Sequence, residues 1–177
     1  MRFCHLRHFL VLLSLGLASP GMAAVPPAPK LPADAYFLMD ATTGQVLVDY
    51  QGDLSLPPAS LTKIMTSYVL AEEVDSARVS LDDIITVSRN AWSQNPTFQG
   101  SSLMWIEPGK PVSLADLERG VVISSGNDAS VAVAEHLAGT ESSFVDVMNQ
   151  IAADLGLDKT TYRNPHGLPH PEHRTTA

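Results

Sequence analysis

The chain has 177 residues, a length that fits one domain at the usual ~100–200 residues per domain. Its composition, 45% hydrophobic and 17% charged residues, is typical of a globular protein and argues against wholesale disorder. The formal net charge of −8 has the wrong sign for a protein that binds nucleic acid through phosphate contacts. The single cysteine excludes a disulfide-stapled scaffold and a cysteine-rich metal site.

Residues 1–23 have the pattern of a secretory signal peptide. Arg2 and Arg7 precede an apolar run at residues 9–18, and Gly21-Met22-Ala23 supplies small residues before a cleavage site. The apolar run is too short for a membrane span, which needs ~20 residues. Cys4 lies inside this segment, so the mature chain has no thiol. We therefore predict export to the periplasm or to the outer face of the cytoplasmic membrane.

The first part of the mature chain combines a linker, a hairpin and a helix. Residues 24–34 are rich in proline, which predicts an extended leader. Residues 35–40 and 45–50 are β-rich and flank a turn that contains Gly44, which predicts a hairpin. A helix is predicted to begin near Ser60. Its apolar face at i, i+3, i+4 and i+7 consists of Leu61, Ile64, Met65 and Tyr68.

A helical block follows after a short strand and a loop. The strand is predicted at residues 84–88 and the polar loop at residues 89–112. Three further helices are predicted from Leu114 to about Ser124, from Asp128 to Ala138 with Asn127 as N-cap, and from about Glu141 to Leu155. A hairpin followed by helices indicates an α+β fold. Because one hairpin cannot bury both of its faces, we expect further strands to complete the sheet.

Ser60 and Lys63 form the first candidate site. They lie at i and i+3 of the predicted helix, so their side chains share one side of its first turn. A serine needs a base to become a nucleophile, and a lysine can serve if it is neutral. Burial and the positive end of the helix dipole both lower the pKa of a lysine. The alternative is a serine that caps the helix beside a solvent-facing lysine, and this motif alone favours that alternative.

A second polar element, Ser125-Gly126-Asn127, lies between two predicted helices. The Ser125 hydroxyl can relay a proton to a leaving group, and the Asn127 amide can bind a substrate carbonyl or the lysine. The alternative is simpler, because Ser-Gly-Asn is also a good helix stop followed by a good N-cap. Taken by itself, this element favours the simpler alternative.

Together the two elements resemble the penicillin-binding serine enzymes, whose motif set is S-x-x-K, S-D-N and K-T-G. The chain is most similar to the low-molecular-mass penicillin-binding proteins, the D-alanyl-D-alanine carboxypeptidases, over residues 33–177. Further family-like stretches, in family order, are Gly100-Ser101-Ser102, Glu107-Pro108-Gly109, Leu114-Ala115-Asp116-Leu117 and Asn164-Pro165-His166-Gly167-Leu168. The resemblance implies the α+β fold of serine β-lactamases and penicillin-binding transpeptidases, an antiparallel sheet with a helical block, incomplete in this chain.

The resemblance also implies the chemistry. Ser60 would be acylated by the terminal D-Ala-D-Ala of a peptidoglycan stem peptide, with Lys63 as its base, Ser125 as proton relay and Asn127 as a substrate-positioning residue. β-Lactam antibiotics would acylate the same serine because they mimic the dipeptide. The resemblance implies neither a metal nor an organic cofactor, and the net negative charge argues against a nucleic-acid partner.

The chain departs from the family pattern at its C-terminal end. The K-T-G motif is expected about a hundred residues beyond the Ser-Gly-Asn element, and Lys159-Thr160-Thr161 lacks the glycine and lies too early. We therefore expect residues 35–177 to be a partial catalytic domain, truncated before the K-T-G strand. Membrane contact would be made only through a C-terminal segment that this sequence lacks.

Three alternatives stay open at this point. A class A β-lactamase shares the fold, but the second motif here is Ser-Gly-Asn instead of Ser-Asp-Asn and no Glu-x-x-Leu-Asn follows it. A D,D-endopeptidase of the same superfamily is not distinguished by these motifs. A non-catalytic penicillin-binding or cell-wall module would keep the fold without turnover.

Overall fold

A computed structural model describes residues 27–177 of the chain. The predicted signal peptide and the start of the proline-rich leader lie outside the described residues. Residues 27–32 have no regular secondary structure and are exposed. Residues Ala33–Ala177 form one compact unit, and the following description concerns this unit.

Two small antiparallel pairs make up the β-structure of the described residues. Strand β1 (Tyr36–Met39) pairs with β2 (Val46–Tyr50), which confirms the predicted hairpin. Strand β3 (Ile84–Thr86) pairs with β4 (Pro111–Ser113). The prediction for residues 89–112 as loop was wrong at the start of β4, because a three-residue strand that begins with proline carries almost no alternating pattern. Most of the hairpin side chains are exposed.

The helices lie close to their predicted positions. They are α1 (Thr62–Asp75), α2 (Leu114–Ile123), α3 (Asn127–Ala138) and α4 (Glu141–Asp154). Helix α3 is the centre of the unit, since all of its first eight residues are buried. Two apolar clusters surround it, one built mainly on α2 and α3, the other mainly on α1 and α4. A central α3 therefore holds the first turn of α1 and the α2–α3 junction in fixed positions.

The buried face of α1 differs from the predicted apolar face. Met65 is buried as expected, but Leu61 and Ile64 are 66% and 69% exposed. The buried face instead includes Thr62 and Thr66. These two hydroxyls are buried because each has a hydrogen-bond partner in the last part of the chain, which apolar periodicity cannot reveal.

The last part of the chain, residues 160–177, is named the C-terminal strap here. It turns back on itself through a bridge between Thr161 and Arg174 and contacts the segment before α1 through a bridge between Leu56 and Thr175. The strap thus lies against α1, whose buried hydroxyls it binds. Within residues 27–177, no helix has the length and apolar character needed to cross a membrane.

Candidate active site

Ser60 lies in a 3-10 turn, Ala59–Leu61, directly before α1. The residue before it, Ala59, has the left-handed φ of 47°, which a non-glycine residue adopts only at some energetic cost. No side chain caps either this turn or α1, so Ser60 is not the capping serine of the simpler alternative. Its side chain is exposed, and its hydroxyl is available for chemistry.

Lys63 is buried and surrounded by acceptors, so the alternative of a solvent-facing lysine was wrong. Its side chain is only 5% exposed. Its Nζ lies 2.7 Å from the Oδ1 of Asn127, 2.8 Å from the backbone oxygen of His166 and 3.3 Å from the Oγ of Ser60. Burial lowers the pKa of Lys63 to about 8, although the negative charge of Asp128 opposes this shift. The lowered pKa makes the neutral amine more accessible near neutral pH than it is in an exposed lysine.

Asn127 contributes its side chain to the lysine and not to a helix cap. The sequence predicted it as the N-cap of α3, but the N-cap is Gly126 and Asn127 is the first helical residue. Its backbone N–H donates to the oxygen of Ser102 at 2.9 Å, and its side-chain oxygen accepts from Lys63. The cap prediction failed because a buried amine 64 positions earlier in the chain is the stronger partner for that oxygen.

Ser125 lies at the junction of α2 and α3 with a left-handed φ of 52°. It lines one cavity of about 370 Å³ together with Ser60 and Lys63, which the sequence placed in the same site. Gly126 follows it in a tight space, where an added Cβ would lie 3.0 Å from the backbone nitrogen of Met104. The fixed junction therefore presents the Ser125 hydroxyl on the same side of the unit as the Ser60 hydroxyl.

Asp128 is a structural part of the site that sequence reasoning missed. Its side chain is fully buried, and its carboxylate accepts hydrogen bonds from the backbone nitrogens of Met104, Trp105, Ile106 and Ala129 at 2.8 to 3.2 Å. Three of these donors lie in a loop more than twenty positions earlier. The only sequence signal was an acidic residue in the first turn of a helix, which usually means a simple favourable charge. Here it ties the 102–106 loop to the helix that carries Asn127.

His166 contacts Lys63 through its backbone oxygen, and its ring contacts other groups. Its carbonyl oxygen accepts from Lys63, while its Nδ1 accepts from the backbone nitrogen of Leu168 at 3.1 Å. Its Nε2 lies 3.6 Å from the Oε1 of Glu141, and this contact lowers the pKa of the Glu141 carboxyl. The family-like Asn-Pro-His-Gly-Leu stretch therefore acts on the site through a main-chain oxygen.

Gly167 explains why this loop can approach Ser60 so closely. It has a φ of +92°, and an added Cβ would lie 1.8 Å from the backbone oxygen of Ala59. No side chain fits between the loop and the turn that carries Ser60. Across residues 27–177 there is no group of three or more His, Cys, Asp or Glu side chains that could hold a metal ion.

Comparison with known proteins supports one family. The family model described as D-alanyl-D-alanine carboxypeptidase matches residues 22–177. The D-alanyl-D-alanine carboxypeptidase DacC of Escherichia coli is 47% identical over 151 residues, which are 85% of this chain and 38% of the relative. The chain thus spans less than half the length of this curated relative.

Two solved structures share the fold. Penicillin binding protein 6B from Escherichia coli superposes with a TM-score of 0.80 and 45% identity, over 85% of this chain and 48% of the other. Penicillin binding protein 5 from Haemophilus influenzae superposes with a TM-score of 0.82 and 41% identity, over 86% and 43%. The predicted α+β fold of the penicillin-binding proteins is thereby confirmed. The chain belongs to the D-alanyl-D-alanine carboxypeptidase family of serine peptidases, the low-molecular-mass penicillin-binding proteins.

Proposed function

We propose that this chain carries the acylation site of an exported serine-type D-alanyl-D-alanine carboxypeptidase, which removes the terminal D-alanine of peptidoglycan stem peptides. In this proposal Ser60 is the nucleophile, Lys63 its general base, Ser125 the proton relay and Asn127 the residue that positions the amine and the substrate. Family membership supports the reaction class. The contacts of Lys63 support the assignment of roles.

The single observation that carries the proposal is the arrangement of acceptors around the Lys63 amine. A neutral amine has two N–H groups and one lone pair. The Asn127 and His166 oxygens, at 2.7 and 2.8 Å, take the two N–H groups. The lone pair is then left for the third neighbour, the Ser60 hydroxyl at 3.3 Å. An amine held in this way is oriented to remove the hydroxyl proton.

The reaction then proceeds in two steps. The Ser60 oxygen attacks the carbonyl carbon of the penultimate D-alanine while its proton passes to Lys63. The peptide C–N bond breaks, the proton returns through Ser125 to the leaving amine, and free D-alanine departs. Water hydrolyses the resulting ester and regenerates the Ser60 hydroxyl. A β-lactam would form the same ester by opening its ring, so a penicillin is a direct probe of the first step.

The proposal favours the carboxypeptidase over the alternatives raised by the sequence. The family that matches is described by carboxypeptidase activity, and the DacC relative has the same name. The expected cellular location, periplasm or outer membrane face, rests on the pattern of residues 1–23. A non-catalytic module would need no buried lysine with a lowered pKa beside its serine, so the environment of Lys63 supports a reactive serine.

The first test measures the intact mass of the folded chain after incubation with benzylpenicillin. We expect an adduct on the wild type and none on Ser60→Ala, since only Ser60 has an activated hydroxyl. Ser124→Ala, which changes an exposed neighbour of Ser125, serves as a matched control and should label like the wild type. Circular dichroism on all samples verifies that they are folded.

A second measurement follows release of D-alanine from a peptide that ends in D-Ala-D-Ala. Loss of both the adduct and D-alanine release in Ser60→Ala is the expected result. Labelling that persists in Ser60→Ala would remove Ser60 from the nucleophile role. A folded wild-type chain that gives no adduct would contradict the proposed acylation site.

A further inference from the structure

The C-terminal strap supplies the oxygens that hold the first two turns of α1. The backbone oxygen of His166 accepts from Lys63, and the backbone oxygen of Pro165 accepts from the Thr66 hydroxyl at 2.6 Å. Both carbonyls lie in the outgoing half of the strap. Their positions relative to α1 therefore depend on whatever fixes that half against the helix.

His173, in the returning half of the strap, makes that connection. Its side chain is 1% exposed, and its ring edge packs against Tyr162 with the ring centres 5.7 Å apart. Its Nδ1 accepts from the backbone nitrogen of Arg163 at 3.0 Å. A backbone N–H can only donate, so the neutral ring must carry its proton on Nε2. The Nε2 lies 2.7 Å from the Thr62 hydroxyl, which is itself buried beside Lys63.

We propose that His173 is a positioning residue for Lys63. The His173 ring joins the Arg163 backbone to the Thr62 hydroxyl and so fixes the His166 oxygen against the Lys63 amine. The inference rests on the proposed function, in which Lys63 is the general base. One hydrogen bond of His173 is made to Thr62, the residue before Lys63. The other is made to Arg163, which lies three residues before His166. The imidazole thus connects the two stretches whose separation sets the Nζ–oxygen distance.

The surroundings of His173 keep its ring in the neutral form that both contacts need. The pKa of His173 is lowered to about 4, chiefly by burial and further by the nearby cationic or titratable side chains of His166, His170, Arg163 and Arg174. A second proton would sit on Nδ1 and face the Arg163 N–H, which would break that hydrogen bond. The connection is therefore intact at neutral pH.

The test reads the Lys63 amine directly, by NMR titration of the lysine side-chain signals in the isotope-labelled chain. His173→Phe keeps an aromatic ring against Tyr162 but removes both hydrogen bonds. Thr62→Val keeps the side-chain shape and removes only the hydroxyl. In both variants we expect the pKa of Lys63 to rise by about one unit or more, since a less tightly held amine gains access to water.

Two further variants sharpen the result. His170→Gln changes an exposed histidine of the same strap and should leave the pKa of Lys63 unchanged. His173→Gln keeps a neutral donor near the Thr62 hydroxyl. The pKa of Lys63 in this variant should therefore lie between its values in the wild type and in His173→Phe. This pattern would not arise if His173 only contributed to general stability, because then melting temperatures would fall without any change at Lys63.

The proposal is overturned if folded His173→Phe and Thr62→Val both keep the wild-type pKa of Lys63. If His173→Phe fails to fold, Thr62→Val decides by itself, because its change in volume is small. The titration uses no substrate, so its outcome is separate from that of the penicillin experiment. A missing penicillin adduct would contradict the proposed function, and an unmoved Lys63 pKa would contradict the role of His173.

Discussion

The Lys63 amine is buried among three oxygen neighbours, and its reactivity depends on two opposing effects on its pKa. Burial disfavours the ammonium form, while the negative charge of Asp128 favours it. The result is a pKa of about 8, close enough to neutrality for the amine to take a proton and give it back.

The pH dependence of acylation tests this balance. On the proposed function the neutral amine is the base, so we expect the rate of penicillin acylation to rise about tenfold per pH unit below pH 8 and to level off above it. The measurement is the rate of labelling by a fluorescent penicillin from pH 6 to 10. A rate that is flat across this range would mean that Lys63 is not the base.

Lys63→Arg provides the matching variant. A guanidinium keeps its proton throughout this pH range, so the acylation rate should fall by about 10²–10⁴-fold and lose its rise with pH. Lys159→Arg, at an exposed lysine that pairs with Asp53, is the control and should behave like the wild type. Equal losses in both variants would indicate a general effect of arginine.

At the scale of elements, the site is made where a turn, a helix start and a loop meet. The strap and the 3-10 turn approach so closely that a Cβ added at Gly167 would lie 1.8 Å from the Ala59 oxygen. The turn carries Ser60, and the loop carries the oxygen that holds Lys63. Their spacing therefore controls both members of the proposed nucleophile–base pair.

Gly167→Ala is expected to separate these two elements. The new Cβ would meet backbone atoms that cannot move independently, so we expect a loss of about 3 kcal/mol in the free energy of unfolding. Penicillin labelling should slow as well, because the His166 oxygen moves away from Lys63. Denaturant unfolding and labelling rates measure the two effects.

Gly156→Ala is the matched control for that substitution. Gly156 also has a positive φ, of 72°, but a Cβ there would meet nothing within 4 Å. It should cost only the backbone strain, about 1 kcal/mol, and leave labelling unchanged. If the two variants lose the same stability, the close approach to Ala59 is not what makes Gly167 necessary.

The helices also show which parts of the fold could be predicted from the sequence and which could not. Helices α2, α3 and α4 were predicted almost to the residue, because their caps and apolar periodicity are local signals. The buried face of α1 and the role of Asp128 were not, because both depend on partners far along the chain. Local patterns report what a residue prefers, and only the tertiary structure supplies the group that it meets.

In the site, too, some contacts could be predicted from the sequence and others could not. The sequence grouped Ser60, Lys63, Ser125 and Asn127, and the structure brings Ser60, Ser125 and Asn127 around Lys63 or into its cavity. It did not identify the His166 oxygen as a contact of the amine, since a main-chain carbonyl has no residue-type signature. His173 likewise carried no signal beyond its place in a histidine-containing loop.

At the scale of the whole molecule, the strap links the last residues of the chain to its first elements. Burial lowers the pKa of His173 to about 4, below its ordinary value of 6.5. The unfolded chain therefore binds a proton at this residue before the folded chain does. Folded stability is fully present above pH 6.5 and is lost as the pH falls towards 4.

We therefore expect the free energy of unfolding to decrease between pH 6.5 and 4.5, a window chosen to lie above most carboxyl titration. His173→Gln cannot gain this proton, so its stability should change less across the same window. Urea unfolding of the wild type and the variant at several pH values measures the two slopes. A variant slope equal to that of the wild type would contradict the neutral, buried assignment of His173.

The three oxygens around the Lys63 amine come from sequence positions that differ from it by 3, 64 and 103 residues. A short peptide with the same Ser-Leu-Thr-Lys sequence has an ordinary, charged lysine, because its amine remains in water. The proposed base is thus created by folding and exists only in molecules whose strap lies against α1. On the proposed function, penicillin labelling would count native molecules, and misfolded copies in the same sample would stay invisible to the drug.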